Sequence, residues 1–316
     1  MIDALMGLTG VFDRRFLMHV FFPSLVFWGL LLAVWFGGQE QLAEAVRRWR
    51  AQGGFEQSAQ AACFVVGVYV FAMILSGKLH ALLRLYEGYW DFPGARALKE
   101  RGTTWYRHVL KNLYADPRRY DDIYYGFPLE RKKVMPTRFG NILKNAEMYP
   151  TERYQMDAVQ VWPRLYGLLP ENLSQALALS RSGMEHMLVW SVLGAAFAIA
   201  AGVYLLIVQG AWWLFLLCFW GGLAVAASAY RSALGSAMLY GTQIKVAFDL
   251  HRNELLKQLR KPLPQTQVSE KRTWSKVCQF LYRNEPKNSP DWIYVDHEPQ
   301  PEKSAEREAE HKATEG

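Results

Sequence analysis

Four runs of this sequence contain no Lys, Arg, Asp or Glu: Phe16 to Phe36, Ala59 to Gly77, Met187 to Val208 and Ala211 to Tyr230. A helix rising 1.5 Å per residue needs about 20 apolar residues to cross ~30 Å of hydrocarbon, so each run is long enough to span a bilayer. Four buried helices of a large soluble core are the competing reading. A core built by 316 residues has no need of four uncharged runs of that length. Trp28, Trp35, Trp190, Trp212, Trp213 and Trp220 lie within the runs, several near their ends, as in aromatic interface belts.

The first run follows Asp13-Arg14-Arg15 and so imitates a secretory or twin-arginine signal. It is too long for the apolar region of a signal peptide, and Phe36-Gly37-Gly38-Gln39 is no small-x-small cleavage site. It reads as a retained helix, kinked by Pro23 in a way that neighbouring helices can relieve.

Mean hydropathy is near neutral at −0.07, an average over segregated parts. The segments outside the runs hold 2, 3, 17 and 14 of the 36 Lys+Arg in chain order, with none in the Gln209-Gly210 turn. The positive-inside rule then places the N-terminus, the central region and the C-terminal region in the cytosol. Arg47, Arg48 and Arg50 argue weakly the other way, because their loop falls outside. The net charge of +7 is thus the positive side of a membrane protein, facing anionic headgroups, and no nucleic-acid partner is implied.

These readings predict an all-α membrane protein with four transmembrane helices in two hairpins and a helical cytosolic region. The expected organisation is a cytosolic N-terminus (1–15), a first hairpin (16–84) with an outside loop (37–58), and a cytosolic helical region (85–170). A second hairpin with long cytosolic extensions (171–261), a short helix (262–283) and a disordered charged tail (284–316) complete it. Within the central region Gly94–Arg101 and Thr103–Tyr114 read as short helices. Asp116–Tyr125 reads as an exposed connector. A helix opens at Pro136 and ends by Tyr149, before Pro150, and Thr151 caps the next. The span-2 helix runs on from Lys78, and Ala211–Lys261 reads as one helix stopped by Pro262 and Pro264.

Chemistry is sparse. HExxH, GxSxG, CxxC and GxGxxG are absent, as is any charge inside a run. The three cysteines and seven histidines are scattered, which predicts neither a disulfide framework nor a metal site nor a cofactor. No catalytic residue is assigned. The basic residues beside the Pro136 helix start, Arg131, Lys132, Lys133 and Arg138 with Asn141, form a candidate anion or partner site. A structural turn, with Arg138 bonded to carbonyls, is the other reading. Small residues at helical spacing, Gly194, Ala198 and Gly202 in one run and Gly222 and Ala226 in another, allow close helix approach within the chain or between copies.

Three blocks together resemble a recurring family of bacterial multi-pass inner-membrane proteins that has no assigned activity. They are Asp13-Arg14-Arg15-Phe16-Leu17 with Pro23, Pro136–Leu143 running to Trp162-Pro163-Arg164-Leu165, and Phe248-Asp249-Leu250-His251-Arg252. The resemblance implies a class and no chemistry. The order of elements is also similar to that of bestrophin-type channels, at the level of architecture alone. The expected function is a membrane anchor, sensor or effector whose cytosolic helices bind a protein partner or self-associate. A homo-oligomeric channel is the second reading, and an inner-leaflet lipid or envelope enzyme the third.

Overall fold

The computed structural model describes residues 14–38, 42–283 and 294–295. The expected cytosolic N-terminus (1–15) lies outside the described residues up to residue 13. The expected disordered tail lies outside them except for residues 294 and 295. A helical turn (Arg14–Phe16) and a π-helical turn (Leu17–Phe21) lead into α1 (Phe22–Gly38), followed by α2 (Leu42–Ala51), α3 (Gly54–Gly77) and α4 (Leu79–Glu87). Then come α5 (Ala95–Tyr114), α6 (Tyr120–Gly126), α7 (Arg138–Tyr154) and α8 (Ala158–Tyr166). The long helices α9 (Glu171–Ile207) and α10 (Trp212–Gln258) and the shorter α11 (Gln267–Arg283) close the order. Every regular element among the described residues is helical.

Among the described residues, four helical stretches are long and apolar enough to cross a membrane: Leu17–Gly37, Gly54–Gly77, Glu171–Ile207 and Trp212–Gln258. At 1.5 Å per residue, the 37 residues of α9 and the 47 of α10 reach well past the ~30 Å of a hydrocarbon core. Apart from Val208 and Ala211, the charge-free windows 187–208 and 211–230 lie within these helices and cover only part of them.

The chain divides into two compact units, one formed by Met1–Met148 with Glu171–Ile244, the other by Tyr149–Pro170 with Lys245–Gly316. In the first unit, Leu188, Val189 and Leu193 of α9 pack with Ala233 and Ala237 of α10, Phe139 and Ile142 of α7 and Leu82 of α4. The small residues let α9 and α10 approach. A Cβ placed on Gly222 would sit 2.9 Å from both the Ala198 Cβ and the Gly194 carbonyl oxygen. One on Gly194 would lie 3.1 Å from the Gly222 oxygen and the Ala226 nitrogen, and one on Gly202 would meet the Phe219 ring at 3.3 Å. Ser191 adds a hydrogen bond across, its hydroxyl donating to the Ala226 carbonyl at 3.0 Å.

Pro23 shapes the start of α1. In a regular helix the residue-23 N–H would bond the His19 carbonyl, and proline has none to give. The chain widens into the π-turn there, and the His186 ring of α9 supplies a donor to that carbonyl. The Trp190 indole N–H, which can only donate, points at His186 Nε2 at 3.2 Å, so the ring proton is on Nδ1. That nitrogen lies 3.3 Å from the His19 carbonyl oxygen. The two imidazoles meet edge to face with centroids 4.8 Å apart.

Several boundaries differ from the sequence expectations. The span-2 helix does not run on unbroken, because Lys78 leaves helical geometry between α3 and α4. The two expected helices are one, Ala95–Tyr114, with Gly102 inside α5, because the glycine admits the Pro136 backbone rather than breaking the helix. The supposed connector is a 3-10 turn (Pro117–Arg119) and α6, whose Ile123 is buried with Leu110, Leu113, Phe127 and Val134. Helix α7 passes through Pro150 to Tyr154. A proline already has helical φ and costs one interior bond, which the packing of this helix absorbs.

In the second unit, Gln155 ends α7 with a left-handed φ of 58°. Thr151 does not cap the next helix; its hydroxyl donates to the Met156 carbonyl at 2.7 Å, and Asp157 caps α8 by accepting from the Val159 N–H at 2.9 Å. Phe248, fully buried, packs on the Trp162 ring with centroids 5.7 Å apart, and the buried Trp274 and Val277 extend this core. Asp249 accepts hydrogen bonds from the hydroxyls of Tyr149 (2.8 Å) and Tyr154 (2.6 Å). Arg252 lies 4.3 Å from the centroid of the Tyr154 ring and pairs with Glu270 at 2.7 Å. The Trp162 and Phe248–Arg252 blocks of the sequence are thus the framework of this unit.

Candidate functional site

The Pro136–Asn141 block is the N-terminal turn of α7, held by three close approaches. Gly88 takes a left-handed φ of 94°, and a side chain there would collide with the Pro136 ring. A Cβ on Gly102 would come within 2.7 Å of the Pro136 carbonyl oxygen, and one on Gly140 would strike the Glu87 carbonyl. Thr137 caps the turn: its hydroxyl accepts from the Gly140 N–H at 2.9 Å and donates to the Tyr86 carbonyl at 2.7 Å.

Asn141 and Asn145, one helical turn apart, organise the chain leading into this turn. Asn141 is fully buried. Its amide donates to the carbonyls of Met135 (2.9 Å) and Thr137 (2.7 Å), and its oxygen accepts from the Met135 N–H at 2.8 Å. Asn145 donates to the carbonyls of Tyr124 (2.9 Å) and Phe127. The 124–137 segment is thereby fixed by side chains of α7.

A cleft of about 270 Å³ opens beside this segment. Its floor is apolar, from Val109, Leu113, Phe127 and Met238. Trp105, Tyr106 and Tyr125 supply aromatic walls, and Arg119, Asp121, Asp122 and Arg138 supply charge. Arg119 is paired with Asp122 at 2.9 Å. The exposed Arg138 side chain makes no ion pair or carbonyl bond among the described residues, while its backbone is hydrogen-bonded to the Tyr106 hydroxyl. Burial pushes the Tyr106 hydroxyl above its ordinary pKa, with the Arg138 charge opposing the shift.

The proposed anion set is therefore dispersed. Asn141 is spent on backbone groups. Arg131 stands over the Tyr114 ring at 5.7 Å, and Lys132 and Lys133 are exposed on a 3-10 turn. Arg138 alone of the five lines the cleft. The sequence pattern assigns no site to Trp105, Tyr106, Asp121, Asp122 or Tyr125; the last three fall in the segment that reads as an exposed connector. The signal available was aromatic density beside paired charge, Trp105-Tyr106 and Tyr120-Asp121-Asp122 with Tyr124-Tyr125.

From the cleft, contacts lead to the spans within the same unit. The Tyr86 hydroxyl donates to Ser191 at 2.8 Å, and its ring stacks on Tyr230 at 5.8 Å. The Tyr230 hydroxyl is hydrogen-bonded to the Phe139 backbone. A second cavity, about 650 Å³, is lined by side chains of α1, α9 and α10 such as Phe27, Trp190, Phe197 and Trp213, and its wall carries no charged group. No three His, Cys, Asp or Glu side chains cluster as a metal site among the described residues.

Fold and composition together define a class: the described residues are all-α, with four helices of membrane-crossing length. No family model, curated protein or solved structure matches the chain.

Proposed function

We propose that this chain is a multi-pass inner-membrane protein of bacterial type that acts as a membrane sensor or effector, and that its cytosolic helices bind a protein partner at the Arg138 cleft. In this reading α1 with α3, and α9 with α10, are the two transmembrane hairpins, and both termini face the cytosol. The protein works by binding rather than by catalysis. The observation that carries the reading is that one turn serves two ends. Arg138 faces the cleft, while its neighbours Thr137 and Phe139 contact Tyr86, which reaches Ser191 in the third apolar run, and Tyr230, the last residue of the fourth. An anionic group of the partner seated on Arg138 would act directly on that turn.

A photo-crosslinking residue at Trp105 or Tyr125, in cells expressing the full chain, is expected to yield one discrete adduct that Arg138→Ala removes. Absence of any adduct from the cleft, with Arg138→Ala leaving the cellular phenotype intact in a folded protein, would overturn the assignment. Orientation is tested separately. Reporter fusions after residue 52 should report the outside and those after residue 283 the cytosol.

A further inference from the structure

The loop between the first two apolar runs carries Arg47, Arg48 and Arg50 where the positive-inside rule expects little positive charge. The structure places these residues on α2, a helix of 10 residues. At about 100° per residue, Val46 and Trp49 fall on one side, Arg47, Arg48 and Glu44 on the other, and Arg50 at the edge between them. Arg48 pairs with Glu44 inside the polar side. The apolar side is bare: Val46 is 40% exposed and Trp49 45%, and Phe55 at the start of α3 is 86% exposed.

Two further features fix where that bare side lies. Only residues 39–41 separate α1 from α2, and only residues 52 and 53 separate α2 from α3. Extended chain covers at most ~3.6 Å per residue, so α2 begins within about 14 Å of the end of α1 and ends within about 11 Å of the start of α3. In addition, the Gln57 amide on the first turn of α3 donates to the carbonyls of Trp49 (2.9 Å) and Gln52 (3.2 Å). The C-terminal end of α2, whose carbonyls lack helical partners, is thus tied to the helix that enters the bilayer.

We propose that α2 is an interfacial helix that binds an anionic phospholipid surface. Val46, Trp49 and Phe55 enter the boundary between headgroups and acyl chains, and Arg47, Arg48 and Arg50 meet the phosphates. Short amphipathic helices with tryptophan on one side and arginine on the other occupy that position in bilayers. Phosphate is the complementary charge for a helix with three arginines against one glutamate, and it explains positive charge on a face that topology alone disfavours. The proposal rests on the reading of α1 and α3 as membrane spans.

The test uses full-length protein with its three cysteines replaced, single cysteines at Trp49, Arg48 and Val66, and an environment-sensitive fluorophore on each. The proteins are placed in nanodiscs of phosphatidylcholine, with or without phosphatidylglycerol. The label at position 49 is expected to emit to the blue and to be quenched severalfold by spin labels on the acyl chains but not by aqueous iodide. The label at position 48 should show the reverse. Adding phosphatidylglycerol should widen the contrast, and Arg47→Gln with Arg50→Gln should return it to the neutral-disc value. Equal iodide quenching at 48 and 49 would overturn the proposal, because α2 would then stand in water. Shielding of position 49 from both quenchers would also overturn it, in favour of a protein or a second copy covering the face. Val66, 60% exposed on α3, separates the two readings. If its label escapes the lipid quencher, the span assignment fails rather than the interfacial one.

Discussion

The His19 carbonyl, the His186 ring and the Trp190 indole form a chain in which each group has one role left to it. The sequence discloses half of this: Pro23 in an apolar run announces a missing donor. The compensating donor was not legible, since it depends on the register of α9 against the first span, 163 or more residues away. His186→Phe should destabilise the protein by about 1–3 kcal/mol, the cost of removing the ring donor from the part-buried His19 carbonyl. Pro23→Ala, which restores an N–H, should recover most of that loss in the double variant, read as non-additive thermal unfolding in detergent. A purely steric role for His186 predicts no recovery. Glycines sort in the same way. Gly140→Ala meets the Glu87 carbonyl and should cost at least ~2 kcal/mol, whereas Gly235→Ala meets nothing within 4 Å and should be neutral or stabilise by about 0.5–1 kcal/mol. Glu87 itself is half-buried, and its desolvation, with Glu147 nearby, raises its carboxyl pKa above the ordinary 4.5. The folded state then binds the proton more tightly than the unfolded chain, so Glu87 lowers stability progressively as pH rises above 4.5 toward the folded value. Glu87→Gln should flatten that part of the stability–pH profile, and an unchanged profile would refute the assignment.

At the scale of elements, apolar periodicity and charge located the long helices, and the punctuation residues misled. Gly102 and Pro150 look like breaks when only local propensity is weighed. In the fold, Gly102 is there because the Pro136 carbonyl passes over α5, and Pro150 sits in a helix with Ala146 buried one turn before it and Tyr154 buried one turn after. Asp116–Tyr125 was opaque for a related reason. Its five acidic and basic residues mask the single aliphatic Ile123 that anchors α6 to Leu110 and Leu113. The candidate cleft was legible only at Arg138, because its aromatic and acidic walls come from α5 and α6, brought together by tertiary contacts. Asn141 gives the sharpest test at this level. It satisfies three backbone groups of the 135–137 segment, so Asn141→Ala should cost about 3 kcal/mol or more. Hydrogen exchange should show faster amides across 131–137, and protection there equal to wild type would show that the loop holds itself.

For the molecule as a whole, the charge-free runs mark the four long apolar helices and the charge on their flanks carries the proposed orientation, while the division into units has no trace in the sequence. The second unit is assembled from 149–170 and 245–316, two segments that are remote along the chain. A chain truncated after Ile244 keeps both long apolar windows but lacks Asp249, Arg252 and Trp274. It should still fractionate with membranes, yet limited proteolysis should cut near residues 150–157, where the full chain resists. Resistance of the truncated chain would mean that the Tyr149–Tyr154 segment needs no partner. The separation of 100 residues between Tyr149 and Asp249 also imposes an order in time. The tyrosines leave the ribosome before either of the last two apolar windows, and the carboxylate they serve leaves after both. Completion of this unit during synthesis therefore reports that the second pair of windows has already been made, and chains stalled between them display unsatisfied tyrosines and bare apolar surface to the quality-control machinery of the cell.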